Sequence, residues 1–264
     1  MLRRMFRTWR SAASRSARMP ADPRELHLDI LYRDFRVGDH PLVELVRRTL
    51  AESNAAGSPG KLLHRPLAQY FLAQYFLHTL DLAGDRAECG VFQGTSALFL
   101  CYAARTRKAS YAGEQLHLID SFEGLSAPGA EDAFEIVDET GKRKRAVQSS
   151  GTYAAPLEVA RNALRAFPAA TFHRGWIPAV FAGLPEKRWS FVHIDVDLYE
   201  PTHGALGYFY PRLLPGGVIV CDDYGSPTFP GAKRAWDRYC GENGIGFVVL
   251  DTGQSVLLKP DRMN

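Results

Sequence analysis

Apolar side chains recur at three- and four-residue steps in residues 41–50 and 66–82, which predicts two helices ahead of the main fold. From residue 86 onward, short apolar runs alternate with longer stretches of helical character. Five of these runs are predicted strands: RAECGV, QLHLIDSF, ATFHRG, SFVHIDVDL and GGVIVCDDY. Strands that alternate with helices predict an α/β fold, in which a parallel sheet carries helices on both faces.

The end of the chain has a different pattern. Two strand-like runs, GFVVLD and SVLLKP, are joined by Thr252-Gly253-Gln254, which is short enough for a hairpin. This hairpin brings the predicted sheet to seven strands. The chain is therefore divided into a basic tail (1–22), an N-terminal helical extension (23–84) and a main domain (85–264).

Composition and charge narrow the class of protein. The 264 residues are 46% apolar and 23% charged, as in a folded globular chain. No apolar stretch reaches the roughly 18–20 residues of a membrane-spanning helix. The net charge is +3, but residues 1–20 hold six arginines and no acid, so the basic character belongs to the tail.

The tail is Arg- and Ser-rich and acid-free, as transit peptides are. We expect a solvated, poorly ordered terminus, and weak contact with an anionic membrane surface is the alternative. No basic stripe with interleaved aromatics continues into the main domain, so nucleic-acid binding is not predicted. The sequence allows a homo-oligomer but does not specify one.

The four cysteines are widely spaced and form no C-x-x-C pair, which argues against a disulfide framework and a cysteine zinc site. Two of them, Cys89 and Cys221, lie inside apolar runs, where a free cysteine behaves as a small buried apolar residue. This usage fits a reducing compartment, and the protein is predicted to be cytoplasmic.

Residues 126–152 interrupt the alternation of strands and helices with an acid-rich run, Gly141 and the basic run 142–145. A solvated loop or hairpin is the simpler interpretation. A mobile lid is the alternative, because the segment follows the carboxyl end of the second strand, where sheets of this type bind ligands.

The first predicted strand runs into a glycine-bearing turn. Gly90 and Gly94 would let the backbone approach a ligand closely, and the helix that follows opens with Thr95 and Ser96. Glu88 precedes the turn, where it would repel a pyrophosphate but tolerate a positively charged group such as an aminoacyl sulfonium. A turn that binds nothing is the alternative.

Asp120 ends the second predicted strand and is followed by Ser121 and Phe122. In nucleotide-binding α/β folds, an acid at this position accepts hydrogen bonds from ribose hydroxyls. The alternative is local, because Asp120 could instead cap the turn that follows it.

Acidic residues also end the fourth and fifth predicted strands. Strand alternation predicts that His193, Asp195 and Asp197 share one face. Asp222 and Asp223 end the next strand, and neighbouring strand tips would bring them to Asp195. Three carboxylates in one place predict a hard cation such as Mg²⁺, and zinc is disfavoured because no His-x₃-His spacing is present. The alternative is that each acid caps a separate turn.

With these motifs the chain resembles the macrocin O-methyltransferase family of S-adenosylmethionine-dependent enzymes, which methylate sugar hydroxyls on antibiotics. The matching segments cover about residues 86–240 and are ECGVFQGTSA, LIDSFEGL, FHRGW, HIDVDLYEPT, YPRLLPGGVIVCDDYG and PGAKRAWDRY. The resemblance implies a Rossmann-like class I methyltransferase fold with a seven-stranded, mostly parallel sheet. It also implies S-adenosylmethionine in the first-turn crevice, with Asp120 at its ribose, and Mg²⁺ held by Asp195, Asp222 and Asp223. The residues implied to bind the cofactor are Glu88, Gly90, Gly94, Thr95, Ser96, Asp120, Ser121, Phe122, Gly175 and Trp176.

The resemblance implies methyl transfer to a hydroxyl of a sugar or a related small-molecule natural product. Asp195 is the expected metal ligand and catalytic base, and Asp197 is the reserve candidate for the base. Two alternatives remain. Asp195-Val196-Asp197 is an Asp-x-Asp of the kind that metal-dependent glycosyltransferases use, and the chain could be a non-catalytic binding protein. A nicotinamide-dependent reductase is disfavoured because G-x-G-x-x-G is missing.

Overall fold

The computed structural model describes residues 66–137 and 139–261 and the isolated positions Leu45 and Thr49, and a seven-stranded sheet forms its centre. The strands of the structure are β1 (Asp85–Cys89), β2 (Leu116–Asp120), β3 (Phe134–Val137), β4 (Arg143–Ala146), β5 (Thr171–Arg174), β6 (Trp189–Ile194), β7 (Leu213–Cys221), β8 (Val248–Val249) and β9 (Ser255–Leu258). The strand order in the central sheet is β5-β2-β1-β6-β7-β9-β8. The first five strands of this order pair in parallel, whereas β9 is antiparallel to both β7 and β8. The predicted mostly parallel sheet with a C-terminal hairpin is confirmed.

Helices cover both faces of the sheet. They are α1 (Pro66–His78), α2 (Thr95–Arg107), α3 (Leu157–Ala163), α4 (Tyr199–Phe209) and α5 (Pro230–Asn243). Alternation along each strand supplies both cores, since Val218 and Val220 of β7 pack on the side of α1 and α2. Ile219 and Cys221 of the same strand pack on the side of α4 and α5. The sheet therefore lies between two helical layers, and its strand ends remain available for a site.

The N-terminal predictions are tested only in part. The predicted helix 66–82 is α1, which ends at His78. The prediction for 41–50 falls outside the described residues except at Leu45 and Thr49, which are both helical. The predicted basic tail lies wholly outside the described residues.

The segment 126–152 forms a second, two-stranded sheet. Strands β3 and β4 pair antiparallel, with Phe134 opposite Ala146 and Val137 opposite Arg143. Side chains of Arg143, Lys144 and Arg145 are exposed, and Arg143 forms an ion pair with Glu135 at 3.3 Å. The segment is thus a charged hairpin, and the lid role stays a prediction.

Two further features bear on the expected environment. The longest helix in the described ranges, α5, has 14 residues, so no described helix could cross a bilayer. All four cysteines are buried and free, and burial raises the pKa of each thiol. The cysteines are therefore packing residues, as the sequence indicates.

Candidate active site

The turn after β1 lies directly against the turn after β6. Gly90 has φ +85°, and a Cβ built on it would lie 1.7 Å from the backbone oxygen of Asp195. In addition, the Asp195 backbone N–H donates to the Cys89 carbonyl at 2.9 Å. A glycine is needed at residue 90 because the Asp195 backbone approaches it so closely. This contact places the glycine-bearing turn beside the first of the predicted metal ligands.

Asp120 joins the end of β2 to the same turn. Its Oδ2 accepts the backbone N–H groups of Val91 and Phe92 at 2.7 and 2.8 Å, and its Oδ1 accepts that of Phe122 at 2.6 Å. The local capping role that the sequence left open is therefore realised. A carboxylate has about four acceptor positions, so these three bonds are compatible with a further bond from a ligand hydroxyl.

The other predicted cofactor residues cluster around these two turns. Gly94 has φ +82° and lies at the N-terminus of α2, followed by the buried Thr95 and Ser96. The Gly175 N–H donates to the Asp120 carbonyl at 2.9 Å, and the neighbouring Trp176 is 39% exposed. Two residues are engaged within the protein: Phe122 is buried in the core, and the Ser121 hydroxyl accepts the Glu123 N–H. Cofactor contact by this set stays a prediction.

Glu88 is paired with a buried histidine. Its Oε1 lies 3.1 Å from Nδ1 of His193, and both side chains are almost completely buried. On the other side of the ring, His193 Nε2 lies 3.8 Å from Oδ1 of Asp222, which is too long for a hydrogen bond but close enough for attraction. The sequence predicts only that His193 shares a face with Asp195 and Asp197, whereas the structure places it between Glu88 and Asp222.

This row of side chains has strongly shifted pKa values. Burial raises the pKa of Glu88 more than His193 lowers it. Burial alone would lower the pKa of His193, but its interactions with Asp222 and Glu88 outweigh burial and raise that pKa well above its usual value. Glu88 Oε2 and His193 Nε2 have no hydrogen-bond partner within the described ranges. The neighbouring acids therefore favour the protonated form of His193.

Asp195, Asp222 and Asp223 converge, as the strand order predicts. Strands β6 and β7 are neighbours in register, with Ile194 opposite Cys221, so the acids that follow them meet at one edge. One carboxylate oxygen from each of the three lies within 4.8 Å of the others. Burial, followed by repulsion from Asp222 and Asp223, raises the pKa of Asp195 well above its usual value.

The donor set fits a hard divalent cation. All three ligands are carboxylate oxygens, which Mg²⁺ and Ca²⁺ prefer. Two ligands of one such ion are separated by at most twice the metal–oxygen distance, which is about 4 to 5 Å. No two of the three oxygens in this cluster are more than 4.8 Å apart, which is close to that limit. A cation would also relieve the repulsion that raises the pKa of Asp195.

Asp197 is positioned by a turn and not by strand alternation. Strand β6 ends at Ile194, and Asp197 has φ +62°. Its backbone N–H donates to Asp223 Oδ2 at 3.2 Å. Burial, followed by repulsion from Asp223 and Asp222, raises the pKa of Asp197. Asp197 therefore lies next to the three acids but is not part of the set whose oxygens converge.

An aromatic side chain that sequence reasoning missed lies within electrostatic range of the acids. Tyr153 has φ +63°, is 50% exposed and packs against Phe92 and Phe229 with ring centroids 5.9 and 6.4 Å away. Burial, followed by the charges of Asp197 and other nearby acids, raises the pKa of Tyr153. A positive φ is costly for an aromatic residue and is often found at functional sites. Tyr153 follows the charged hairpin, where no apolar periodicity could have signalled it.

The fold class is clear from this arrangement and from a solved structure. The chain is similar to the structure of the O-methyltransferase NovP, with a TM-score of 0.62 and 19% sequence identity. The similarity covers 75% of this chain and 82% of that one. The predicted class I methyltransferase fold is therefore confirmed.

Sequence comparison identifies the family. The family model described as macrocin-O-methyltransferase (TylF) matches residues 72–252, and the chain belongs to this family. The resemblance inferred from the sequence motifs is thus confirmed.

The names of two curated relatives specify a substrate and the position that is methylated. The chain is 32% identical over 179 residues to 8-demethyl-8-(2,3-dimethoxy-alpha-L-rhamnosyl)-tetracenomycin-C 4'-O-methyltransferase of Streptomyces olivaceus, which covers 65% of each chain. It is 27% identical over 176 residues to mycinamicin III 3''-O-methyltransferase of Micromonospora griseorubida, which covers 64% of this chain and 65% of the relative. The matches therefore span slightly less than two thirds of the length of either relative.

Proposed function

We propose that this protein transfers a methyl group from S-adenosylmethionine to a hydroxyl of a sugar or a related small-molecule natural product, with Mg²⁺ at its acidic cluster. The observation that carries the proposal is the convergence of Asp195, Asp222 and Asp223 beside the glycine-bearing turn. Family membership supports the reaction, and the names of the two relatives support the class of acceptor.

The proposed cofactor crevice lies between the ends of β1 and β2. The N-terminus of α2 directs backbone N–H groups toward it, and Asp120 offers a carboxylate for the ribose hydroxyls. Trp176 is exposed next to the end of β2, where an aromatic ring can stack on a purine. The cofactor supplies an activated methyl group. The protein therefore has to bind and orient the two substrates and to exclude competing nucleophiles.

Asp195, Asp222 and Asp223 would hold the metal ion. A bound divalent cation would lower the pKa of a coordinated acceptor hydroxyl and orient it toward the methyl donor. A carboxylate bound to the ion is a weak base, but it would suffice here because the same ion would acidify the hydroxyl proton that is removed. In the proposed reaction Asp195 accepts the hydroxyl proton while the new C–O bond forms and the methyl–sulfur bond breaks. Asp197 remains the second candidate for the base.

The acceptor is proposed to lie against Tyr153. The Tyr153 side chain is half exposed, and the charges of the nearby acids contribute to the raised pKa of its phenol. An aromatic face next to polar ligands suits a sugar, which presents apolar C–H groups on one side and hydroxyls on the other. This arrangement supports a sugar ring as the methylated group.

Binding and transfer assays test the proposal. Titration calorimetry with S-adenosylhomocysteine and with a nucleotide-sugar distinguishes a methyltransferase from the Asp-x-Asp glycosyltransferase alternative. We expect S-adenosylhomocysteine to bind and the nucleotide-sugar not to bind. We expect EDTA to stop methyl transfer to a glycosylated acceptor and added Mg²⁺ to restore it. Undiminished transfer without divalent metal would refute the metal role. Binding of the nucleotide-sugar, and not of S-adenosylhomocysteine, would refute the proposed methyl transfer.

A further inference from the structure

Helix α4 begins without a capping side chain of its own. Its N-cap residue is Leu198, which has no side-chain acceptor. The acceptor comes instead from the 126–152 segment, because Asp132 Oδ1 accepts the Tyr199 N–H at 2.7 Å. Asp132 is only 4% exposed although it lies in a charged insertion. The insertion therefore caps a helix of the main fold with a buried carboxylate.

The same carboxylate lies at the start of α5. A Cβ built on Gly231, the second residue of α5, would lie 1.8 Å from Asp132 Oδ1. The other oxygen, Oδ2, accepts the Gly129 N–H at 2.7 Å. The N-terminus of a helix carries partial positive charge, so a carboxylate between two such ends is electrostatically favoured. Asp132 thus lies against the first turns of both α4 and α5.

A second contact attaches the insertion to α5. The Arg234 guanidinium donates to the backbone carbonyls of Glu131 and Ala133, on either side of Asp132. These bonds fix the short 3₁₀ segment Ala130–Asp132 against α5. The position of Asp132 is therefore determined by backbone contacts as well as by its own side chain.

The two helices that Asp132 joins follow the two acid-bearing turns. Helix α4 starts directly after the turn with Asp195 and Asp197, and α5 follows the loop that begins at Asp222 and Asp223. The relative position of the two helix starts therefore constrains the distance between the two halves of the acidic cluster.

We propose that Asp132 is a positioning residue for the divalent-cation site and that it acts by fixing the starts of α4 and α5. This inference rests on the metal role proposed above. It predicts that the affinity for the ion depends on a carboxylate that is not a ligand. It also assigns a role to the insertion beyond covering the site, because the insertion supplies this carboxylate.

Mg²⁺ titration without substrate tests the inference. In Asp132→Ala we expect roughly tenfold weaker Mg²⁺ binding, the lower end of the effect of losing an outer-shell partner of a metal site. In Asp132→Asn we expect an intermediate loss, because the amide oxygen can still accept the Tyr199 N–H while the amide nitrogen cannot accept the Gly129 N–H. Glu131→Ala is the matched control: this neighbouring acid is exposed, and we expect wild-type affinity.

Gly231→Ala tests the same contact from the other side. Its methyl group would lie 1.8 Å from Asp132 Oδ1 and 2.8 Å from the Tyr199 nitrogen, so both the carboxylate and the start of α4 would have to shift, although alanine favours the helix more than glycine does. We expect Mg²⁺ binding to weaken as in Asp132→Ala, while S-adenosylhomocysteine binding, which reports an intact fold, stays within about twofold of wild type.

The outcomes separate the two proposals. If the wild-type protein binds no Mg²⁺, the metal role is wrong and the role of Asp132 with it. If the wild type binds Mg²⁺ and both Asp132→Ala and Gly231→Ala bind it equally well, only the role of Asp132 is overturned. Equal weakening of Mg²⁺ and S-adenosylhomocysteine binding would also overturn it, since this indicates a general structural defect.

Discussion

Two polar clusters are buried at opposite ends of the same sheet, and they are built differently. At the amino end, Asp85 Oδ2 lies 2.9 Å from His117 Nε2 and 3.2 Å from Lys187 Nζ. The other His117 nitrogen lies 2.8 Å from Nε2 of His173. Burial raises the pKa of Asp85, but hydrogen bonds from His117 and Lys187 outweigh it and lower that pKa. This cluster satisfies its single acid internally.

At the carboxyl end of the sheet, acidic side chains lie next to other acidic side chains. The oxygens of Asp195, Asp222 and Asp223 converge, and the pKa of Asp195 is raised by burial and by its two acidic neighbours. The neighbouring acids favour the protonated form of the buried His193, but its Nε2 lies 3.8 Å from Asp222 Oδ1. Burying several like charges is unfavourable unless a counter-charge binds. The comparison indicates that the amino-end cluster is structural, and it supports the proposal that the carboxyl-end cluster binds a ligand.

The largest expected effect is that of Asp195→Asn. The amide removes both the predicted base and one carboxylate of the proposed metal site, so methyl transfer should fall by on the order of 10³-fold, within the range for loss of a general base. S-adenosylhomocysteine affinity, measured by calorimetry, should change little because Asp195 contacts the glycine-bearing turn through its backbone. Activity near that of wild type would show that the comparison misidentifies the functional cluster.

Asp222→Asn should produce the next largest effect. The amide keeps the shape and can still accept the hydrogen bond from Gln254 Nε2, which is 2.8 Å long in the structure. We expect about a hundredfold loss of transfer, partly restored by raising the Mg²⁺ concentration. A rate that does not respond to Mg²⁺ concentration would contradict a ligand role for Asp222.

The sequence predicted one part of this site well because strand geometry is local. Short apolar runs define β6 and β7, and acids after adjacent parallel strands meet at one edge of the sheet. Asp197 could not be placed this way, because the strand ends at Ile194 and a left-handed turn follows.

The contact that the insertion makes with α4 could not be predicted from the sequence either. Asp132 and Tyr199 are 67 residues apart, and no periodic pattern in the charged segment pairs them. The sequence likewise shows Glu88 but not its partner, because the contact between Glu88 and His193 forms only when β1 pairs with β6. Side-chain partners across elements thus follow from tertiary packing, whereas the elements themselves follow from periodicity.

Tyr153→Ala should produce a smaller effect that separates acceptor binding from chemistry. Loss of the ring should raise the acceptor KM about three- to tenfold, as expected for one aromatic contact, and change kcat less. Tyr153→Phe keeps the ring and should behave nearly as wild type. Steady-state kinetics with varied acceptor measure both constants. A large fall in kcat for Tyr153→Phe would instead assign the phenol a part in the chemistry.

The smallest expected effect concerns stability at the amino-end cluster. Burial, followed by the neighbouring His117, lowers the pKa of His173 below its usual value. The unfolded chain therefore binds a proton at His173 more readily than the folded one. Stability should fall as the pH drops from about 6.5 toward the folded pKa and then level off. The effect is small because His173 is only partly buried and water screens its charge.

Thermal unfolding across this pH window in wild type and His173→Gln isolates the contribution of that histidine. We expect the variant to lose part of the acid-side decrease in melting temperature, and the two proteins to show the same pH dependence above about pH 7.5. Mg²⁺ affinity should be the same in both proteins at neutral pH, because His173 belongs to the cluster that is satisfied internally. Weaker Mg²⁺ binding in His173→Gln would mean that the two ends of the sheet are coupled, and the separation of a structural from a ligand-binding cluster would then fail.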